Sequence, residues 1–268
     1  MKKLSLSLLL GICSISSFAA TKAASSPVAF SIESNQALTV PFLDSAWSNR
    51  ENLNNQKIIA EYLNTNPEVS KDYEIAWKTA RLVYFIGNYG YGEKKFVGTS
   101  SGVKLFDYGV SAAKIAREVK SDGVEGLYWF AIDLGSYGLA KGIMSSASNA
   151  GAGMDALKQV NALQADFQWY GGSRILGKYY QELPGLFGGS NKKALELLTT
   201  ATTKAPNFRN NWVFLGQYYN STGEADKALD ACQKALQLPN QDGKYEEIRY
   251  SREAQECVDK AKAKLGKD

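Results

Sequence analysis

Not one histidine occurs among the 268 residues. That absence removes every Ser-His-Asp and Cys-His nucleophilic arrangement and every metal site that depends on imidazole. Cysteine is scarce: Cys13, Cys232 and Cys257 are the three. Long apolar runs are lacking, with nothing near the ~20 residues a helix needs to cross a bilayer. An excess of one charge sign is missing as well. Lys and Arg total 31 against 27 Asp and Glu, a formal charge of +4, too small for the basic footprint of a nucleic-acid binder. The Gly-rich stretches lack the P-loop Lys and follow no strand, so they do not read as phosphate loops. Strand-like alternation is also scarce. What remains is a chain 44% hydrophobic and 22% charged, long enough for a sizeable core and patterned almost throughout with the helical period.

The first residues read as an export signal. Lys2 and Lys3 precede a short apolar run from Leu4 to Ile12, and Ser17-Phe18-Ala19 places small residues where a signal peptidase reads, with cleavage expected near Ala19. Leu10-Gly11-Ile12-Cys13 offers a competing lipoprotein reading, in which Cys13 carries lipid. Ile12 is bulky where that motif wants a small residue. The mature protein is expected in the periplasm or, if lipidated, on an outer-membrane leaflet. Only Cys232 and Cys257 would then remain. Both lie on apolar faces of successive helices joined by the short loop around Pro239 to Gly243, so a disulfide is expected in an oxidising compartment, with two buried thiols as the alternative.

Residues 20–50 read as a partly irregular tail, with one short extended piece at Val28 to Ile32, and residues 51–268 as one helical repeat domain. Within it helices are expected from Asn52 to a stop at Pro67, then at Asp72–Ile86, Val103–Lys120 (capped by Ser100 or Ser101), Gly126–Leu139, Met154–Ala165, Ser173–Glu182, Asn191–Lys204, Asn210–Ser221, Glu224–Leu238 and Lys244–Leu265. Gly87–Gly102 reads as a loop or broken connection, Ser145–Gly153 as a turn or frayed helix start, and Leu183–Ser190 (LPGLFGGS) as a break.

A repeat governs this pattern. A tetratricopeptide (TPR) unit pairs two antiparallel helices in ~34 residues. Phe208 to Pro239 fits: Trp212, Leu215-Gly216 and Tyr219 on the first helix, then Ala228, Cys232, Ala235 and Pro239. The small residues let helix axes approach, and the aromatics fill the space between pairs. Cys232 stands where an aromatic is usual, and Pro239 comes one residue early. The preceding unit repeats the second helix as Ala194, Leu198, Ala201 and Pro206, with Gly177 and Tyr180 on its first. A third unit matches through Tyr128, Ala131, Ile132 and Gly135, and a fourth through Trp77, Ala80 and Tyr84 with Gly109, Ala113 and Ala116. The expected architecture is an all-α solenoid of TPR-like helical hairpins.

Three stretches carry a more specific resemblance: GLYWFAIDLGSYG from Gly126, GGSRILGKYY from Gly171 and LPGLFGGSNKKAL from Leu183. Across roughly Asn52 to Leu238 the chain resembles the T component associated with TRAP transporters. The LP-x-x-x-GG joint is also similar to the TPR-like region of microtubule-dynamics regulators. The resemblance implies a periplasmic, usually lipid-anchored protein that oligomerises and docks a solute-binding protein; the weak lipobox departs from that pattern. It implies no catalytic residues and no cofactor.

On a TPR hairpin the first helix lines the concave face. Register nominates Asn210, Gln217 and Asn220 (with Val213), Arg174, Lys178 and Gln181, Trp129 and Asp133 (with Ser136), and Lys78 (with Leu82 and Phe85) as candidates. Arg174, Lys178 and Lys78 in one groove would clamp a carboxylate of a peptide or small acid; a solvated polar face is the plainer alternative. Trp129, Trp169, Tyr170, Tyr179, Tyr180 and Tyr218 suit either an apolar ligand pocket or inter-repeat core, with core expected. Asp133, a carboxylate in an apolar run, is expected to point into the groove or to pair with a basic neighbour. Asp166 and Glu182 are available as surface partners. A carboxylate-only hydrolase, for which the sequence selects no pair of carboxylates, is the minority alternative to a binding protein.

Overall fold

The computed structural model describes residues 31–33, 36–96, 98–239 and 241–266. The expected signal segment 1–19, Cys13 and most of the piece at Val28 to Ile32 lie outside them. Twelve α-helices follow in order among the described residues: α1 Val40–Ser48, α2 Leu53–Thr65, α3 Tyr73–Asn88, α4 Tyr91–Lys95, α5 Ser100–Val119, α6 Val124–Lys141, α7 Ile143–Leu163, α8 Phe167–Glu182, α9 Asn191–Lys204, α10 Arg209–Thr222, α11 Ala225–Gln237 and α12 Lys244–Leu265. A 3-10 turn at Gly185–Phe187 separates α8 from α9.

Local chemistry starts these helices. Asp72 accepts the Ile75 N–H at 2.9 Å, Asn52 accepts from Asn54 and Asn55, and Ser190 accepts from Lys193, each cap contributing about 1 kcal/mol. Gly223 ends α10 in the left-handed conformation, φ 87°, which a side chain would oppose. The pairs α3/α5, α6/α7, α8/α9 and α10/α11 are hairpins, each packed on the one before. First helices lie beside first helices (α3 on α6, α6 on α8, α8 on α10, α10 on α12). Small residues sit at the crossings. A Cβ on Gly216 would come within 2.1 Å of Cys232 Sγ, and Cys232 is bonded to Cys257 in a disulfide. Where a TPR unit usually places an aromatic, the disulfide fills the space and ties α11 to α12.

Four stretches differ from the sequence expectation. Part of the irregular tail is helix α1, started by Thr39 and Pro41 and anchored by buried Leu43 and Ala46. Gly87–Gly102 contains α4, held because the buried Gln56 side chain accepts the Tyr91 N–H and donates to the Arg50 carbonyl. The cap of α5 is Thr99, which accepts from Gly102. Of the two readings of Ser145–Gly153, a turn or a frayed helix start, the turn does not hold: α7 runs through it, and the buried Ala150, Met154, Leu157 and Val160 pack that helix. On α12 the stripe turns in through Tyr250 while Ile248 is exposed.

Candidate functional site

The first-helix polar residues nominated for binding are used largely to join one hairpin to the next. Lys178 pairs with Glu182 at 2.8 Å and donates to Gln217 at 3.5 Å. Gln217 donates to Glu253 on α12 at 3.1 Å, and Gln181 to Ser221 at 3.1 Å. Asn210 donates to Asp242 at 3.0 Å, and Asn220 to the Cys257 carbonyl at 2.9 Å. These bonds form rungs from α8 to α10, and from α10 to α12 and the loop before it. Lys78 is committed elsewhere, to Asp44 of α1 at 2.5 Å and Glu74 at 3.8 Å, so it does not join Arg174 and Lys178 in a clamp. Trp129 is buried, edge-on to Tyr128 and tilted against Tyr84.

Arg174 is 6% exposed. Its guanidinium donates to Asn211 Oδ1 at 2.8 Å, to the carbonyls of Gln168 and Trp169 at 3.3 and 3.4 Å, and to the Tyr128 hydroxyl at 3.4 Å. It also lies 5.0 Å from the Phe208 ring centre. Five forked donors suit such a set of acceptors. Position in the repeat nominates Arg174 for the inner face; in the structure its guanidinium is buried and spent on internal partners.

Packing on that side extends to contact between the two ends of the domain. Tyr89, after α3, meets Tyr250 of α12, hydroxyl to hydroxyl at 3.4 Å. Tyr84 and Phe85 pack on Tyr89, and Phe214 of α10 on Tyr250. Ion pairs reinforce the contact: Arg50 with Glu246 at 3.4 Å and Arg252 with Glu93 at 2.6 Å, while the Lys244 N–H donates to Glu51. Burial raises the Asp242 and Glu246 carboxyls above the usual carboxylate range, against the pull of nearby arginines. Residues far apart in the chain, Tyr89 and Tyr250 among them, thus close the stack on itself. The sequence carries no signal for this, because a long-range aromatic contact has no period.

Asp133 neither faces a groove nor meets a cation. It is fully buried on α6, and neither carboxylate oxygen has a hydrogen-bond partner. It lies where α6 approaches α5 and α3: a Cβ on Gly109 would come within 2.8 Å of Asp133 Cγ and 2.7 Å of Val83 Cγ1. Burial pushes its carboxyl well above the usual range. A carboxyl sealed in this way cannot touch a substrate, which removes the Asp133 arm of the hydrolase alternative. Among the described residues no group of three or more His, Cys, Asp and Glu could hold a metal ion.

The site that sequence reasoning missed lies at the hairpin edge. Gln168, Trp169 and Tyr170 all take left-handed backbone angles, φ 50°, 53° and 60°. Such a run costs ~1–2 kcal/mol per residue, and strain of this kind is seen where the surroundings impose it. Here Arg174 holds two carbonyls of the turn, and fully buried Asn211 donates to the Trp169 carbonyl at 3.2 Å. The turn presents Trp169, 42% exposed, to a cleft of about 650 Å³ that also borders Lys204, Asn207, Phe208 and Gln241. Trp169 is thus outside the core expected for it; Phe208 covers one of its faces, with ring centres 4.6 Å apart. The other aromatics divide: Tyr180 and Tyr218 are core, Tyr179 donates to the Ala131 carbonyl at 2.8 Å, and Tyr170 borders the cleft. Nothing in the residue types of a left-handed non-glycine run announces it.

No family model matches the chain, and no curated protein matches it. Among solved structures it is similar to a thermophilic TPR protein of Thermus thermophilus, with 15% identity and a TM-score of 0.52 over 82% of this chain and 96% of that one. It is also similar to MamA, with 22% identity and a TM-score of 0.39 over 63% and 95%. The first likeness is one of fold. The chain is an all-α protein of stacked TPR-like helical hairpins.

Proposed function

We propose that this chain is an exported TPR-like scaffold that docks a protein partner, in the manner of a TRAP-transporter T component engaging a periplasmic solute-binding protein. What supports the reading is where the fold leaves apolar surface. The LPGLFGGS joint, the most specific part of the family resemblance, holds Leu186 at 90% exposure and Phe187 at 43%. The joint is ordered from within: Phe187 and Gly189 donate to the Pro184 carbonyl, and Ser190 to the Tyr180 carbonyl. An exposed apolar pair on a pre-shaped loop offers a partner apolar area at a low cost in ordering. Location rests on the export signal at Lys2 to Ala19, with lipidation at Cys13 as the variant that would tether the scaffold to a membrane. Among the described residues no helix is long and apolar enough to cross one.

Affinity capture of the tagged protein from its native envelope tests this. Recovery of a solute-binding protein by wild type, and its loss in Leu186→Asp/Phe187→Ser, is the expected result. Recovery of envelope-assembly proteins alone would favour a general adaptor of the envelope with no transporter link. Mass spectrometry of the bait's own N-terminus separates cleavage near Ala19 from lipidation at Cys13.

A further inference from the structure

We propose that the cleft beside the left-handed turn is a saccharide-binding site with Trp169 as its stacking platform. Phe208 lies parallel to one indole face, with an interplanar angle of 4°, and supports it from below. The 42% exposure of Trp169 leaves the rest of the ring to the cleft. A flat, supported aromatic surface matches the C–H face of a pyranose, and Trp adds a polar edge to a large apolar body. The rim is polar: Asp166, Gln168, Lys204, Asn207 and Gln241. A carboxylate accepts, carboxamides both donate and accept, and an ammonium donates, which is the set that pairs with ring hydroxyls. The Asp166 side chain is not spent on capping α8, and Asp166 and Lys204 are both exposed.

The composition of the wall decides between ligand classes. The cleft has Trp169, Tyr170 and Phe208 but no Leu, Ile, Val or Met in its lining, so its apolar surface is flat ring and not a socket shaped for a branched aliphatic side chain. A ring apolar on its faces and hydroxylated around its rim is matched on both counts. One carboxylate and one ammonium balance each other, which favours a neutral sugar. The platform is rigid before any ligand arrives, because the carbonyls behind it are held by Arg174 and Asn211; prior ordering lowers the cost of binding. About 650 Å³ is within the range of small-ligand sites.

The test is calorimetric titration of the full chain, disulfide intact, with neutral trisaccharides of glucose, mannose, galactose and N-acetylglucosamine. Saturable binding by at least one of them is expected, weakened roughly tenfold or more in Trp169→Ala. Asp166→Ala and Lys204→Ala alter exposed side chains, should leave the unfolding midpoint unchanged, and should each weaken binding several-fold. If Trp169→Ala does not fold, these two decide. No saturable binding by any trisaccharide, or binding that all three variants leave intact, overturns the proposal. Binding of an extended peptide at this cleft in place of sugar overturns it equally.

Discussion

Replacing Asp133 by Asn should make the protein more stable at neutral pH, and the gain should grow with pH. The carboxyl is fully buried, has no hydrogen-bond partner, and is shifted by burial alone, with no nearby charge to offset it. Its folded-state pKa therefore lies above the unfolded value of about 3.9. The folded protein holds that proton more tightly, so the group's contribution is full below the unfolded value and is lost as pH rises toward the folded one. The loss runs at up to about 1.4 kcal/mol per pH unit. Asparagine has no such slope. Both side chains leave a buried polar group unsatisfied, a cost of about 1–3 kcal/mol common to the two proteins. Between about pH 5 and about pH 7 the variant should gain up to about 3 kcal/mol relative to wild type, roughly 6–12 °C in Tm for a domain of this size. Urea unfolding across that range, with the disulfide intact, is the assay. The chain has no histidine, so the usual titration in this window is absent, and the raised Asp242 and Glu246 are common to both proteins. Parallel stability curves for Asp133→Asn and wild type would refute the assignment of Asp133 as a buried, protonated acid.

Opening the Cys232–Cys257 bond, which spans 25 residues, should cost about 3–4 kcal/mol by loop-closure entropy; urea unfolding of the Cys232→Ser/Cys257→Ser protein reads this directly. Tyr250→Ala removes the aromatic that joins α12 to Tyr89 and Phe214. It should cost about 3–5 kcal/mol and speed amide exchange in both α3 and α12; faster exchange in α12 alone would argue against closure of the ends. Arg174→Lys keeps the charge but loses the fork that holds Asn211, Tyr128 and the turn carbonyls. A loss of about 2 kcal/mol is expected, together with new chymotrypsin cleavage after Trp169 or Tyr170.

The hairpins were legible because their signal is local and repeated. Gly216, Ala228 and Ala235 recur as Gly177, Ala194 and Ala201, and a helix crossing demands small residues at that spacing. Register also nominates Arg174, Gln217 and Asn220, which lie on α8 and α10. It gives direction but not distance, so it cannot tell that neighbouring first helices lie close enough for these side chains to bond to one another. Lys78 is misread for a related reason: its partner Asp44 belongs to α1, a short helix inside a stretch of mixed composition. Asp133 stands out as an anomaly, while the lack of a partner depends on Val83 and Gly109 arriving from two other helices. The left-handed turn at Gln168–Tyr170 is imposed by Arg174 and Asn211, and no local preference encodes it.

The inner face is spent on internal contacts, and the proposed docking surface is the LPGLFGGS joint. Partner capture with two variants side by side separates the two surfaces: Leu186→Asp/Phe187→Ser on the joint, and Lys178→Glu/Gln181→Glu on the inner face, each first shown to keep the wild-type fold. The joint variant should lose the partner and the inner-face variant should retain it. Retention by the joint variant with loss by the inner-face variant would contradict this and return the binding surface to the concave side.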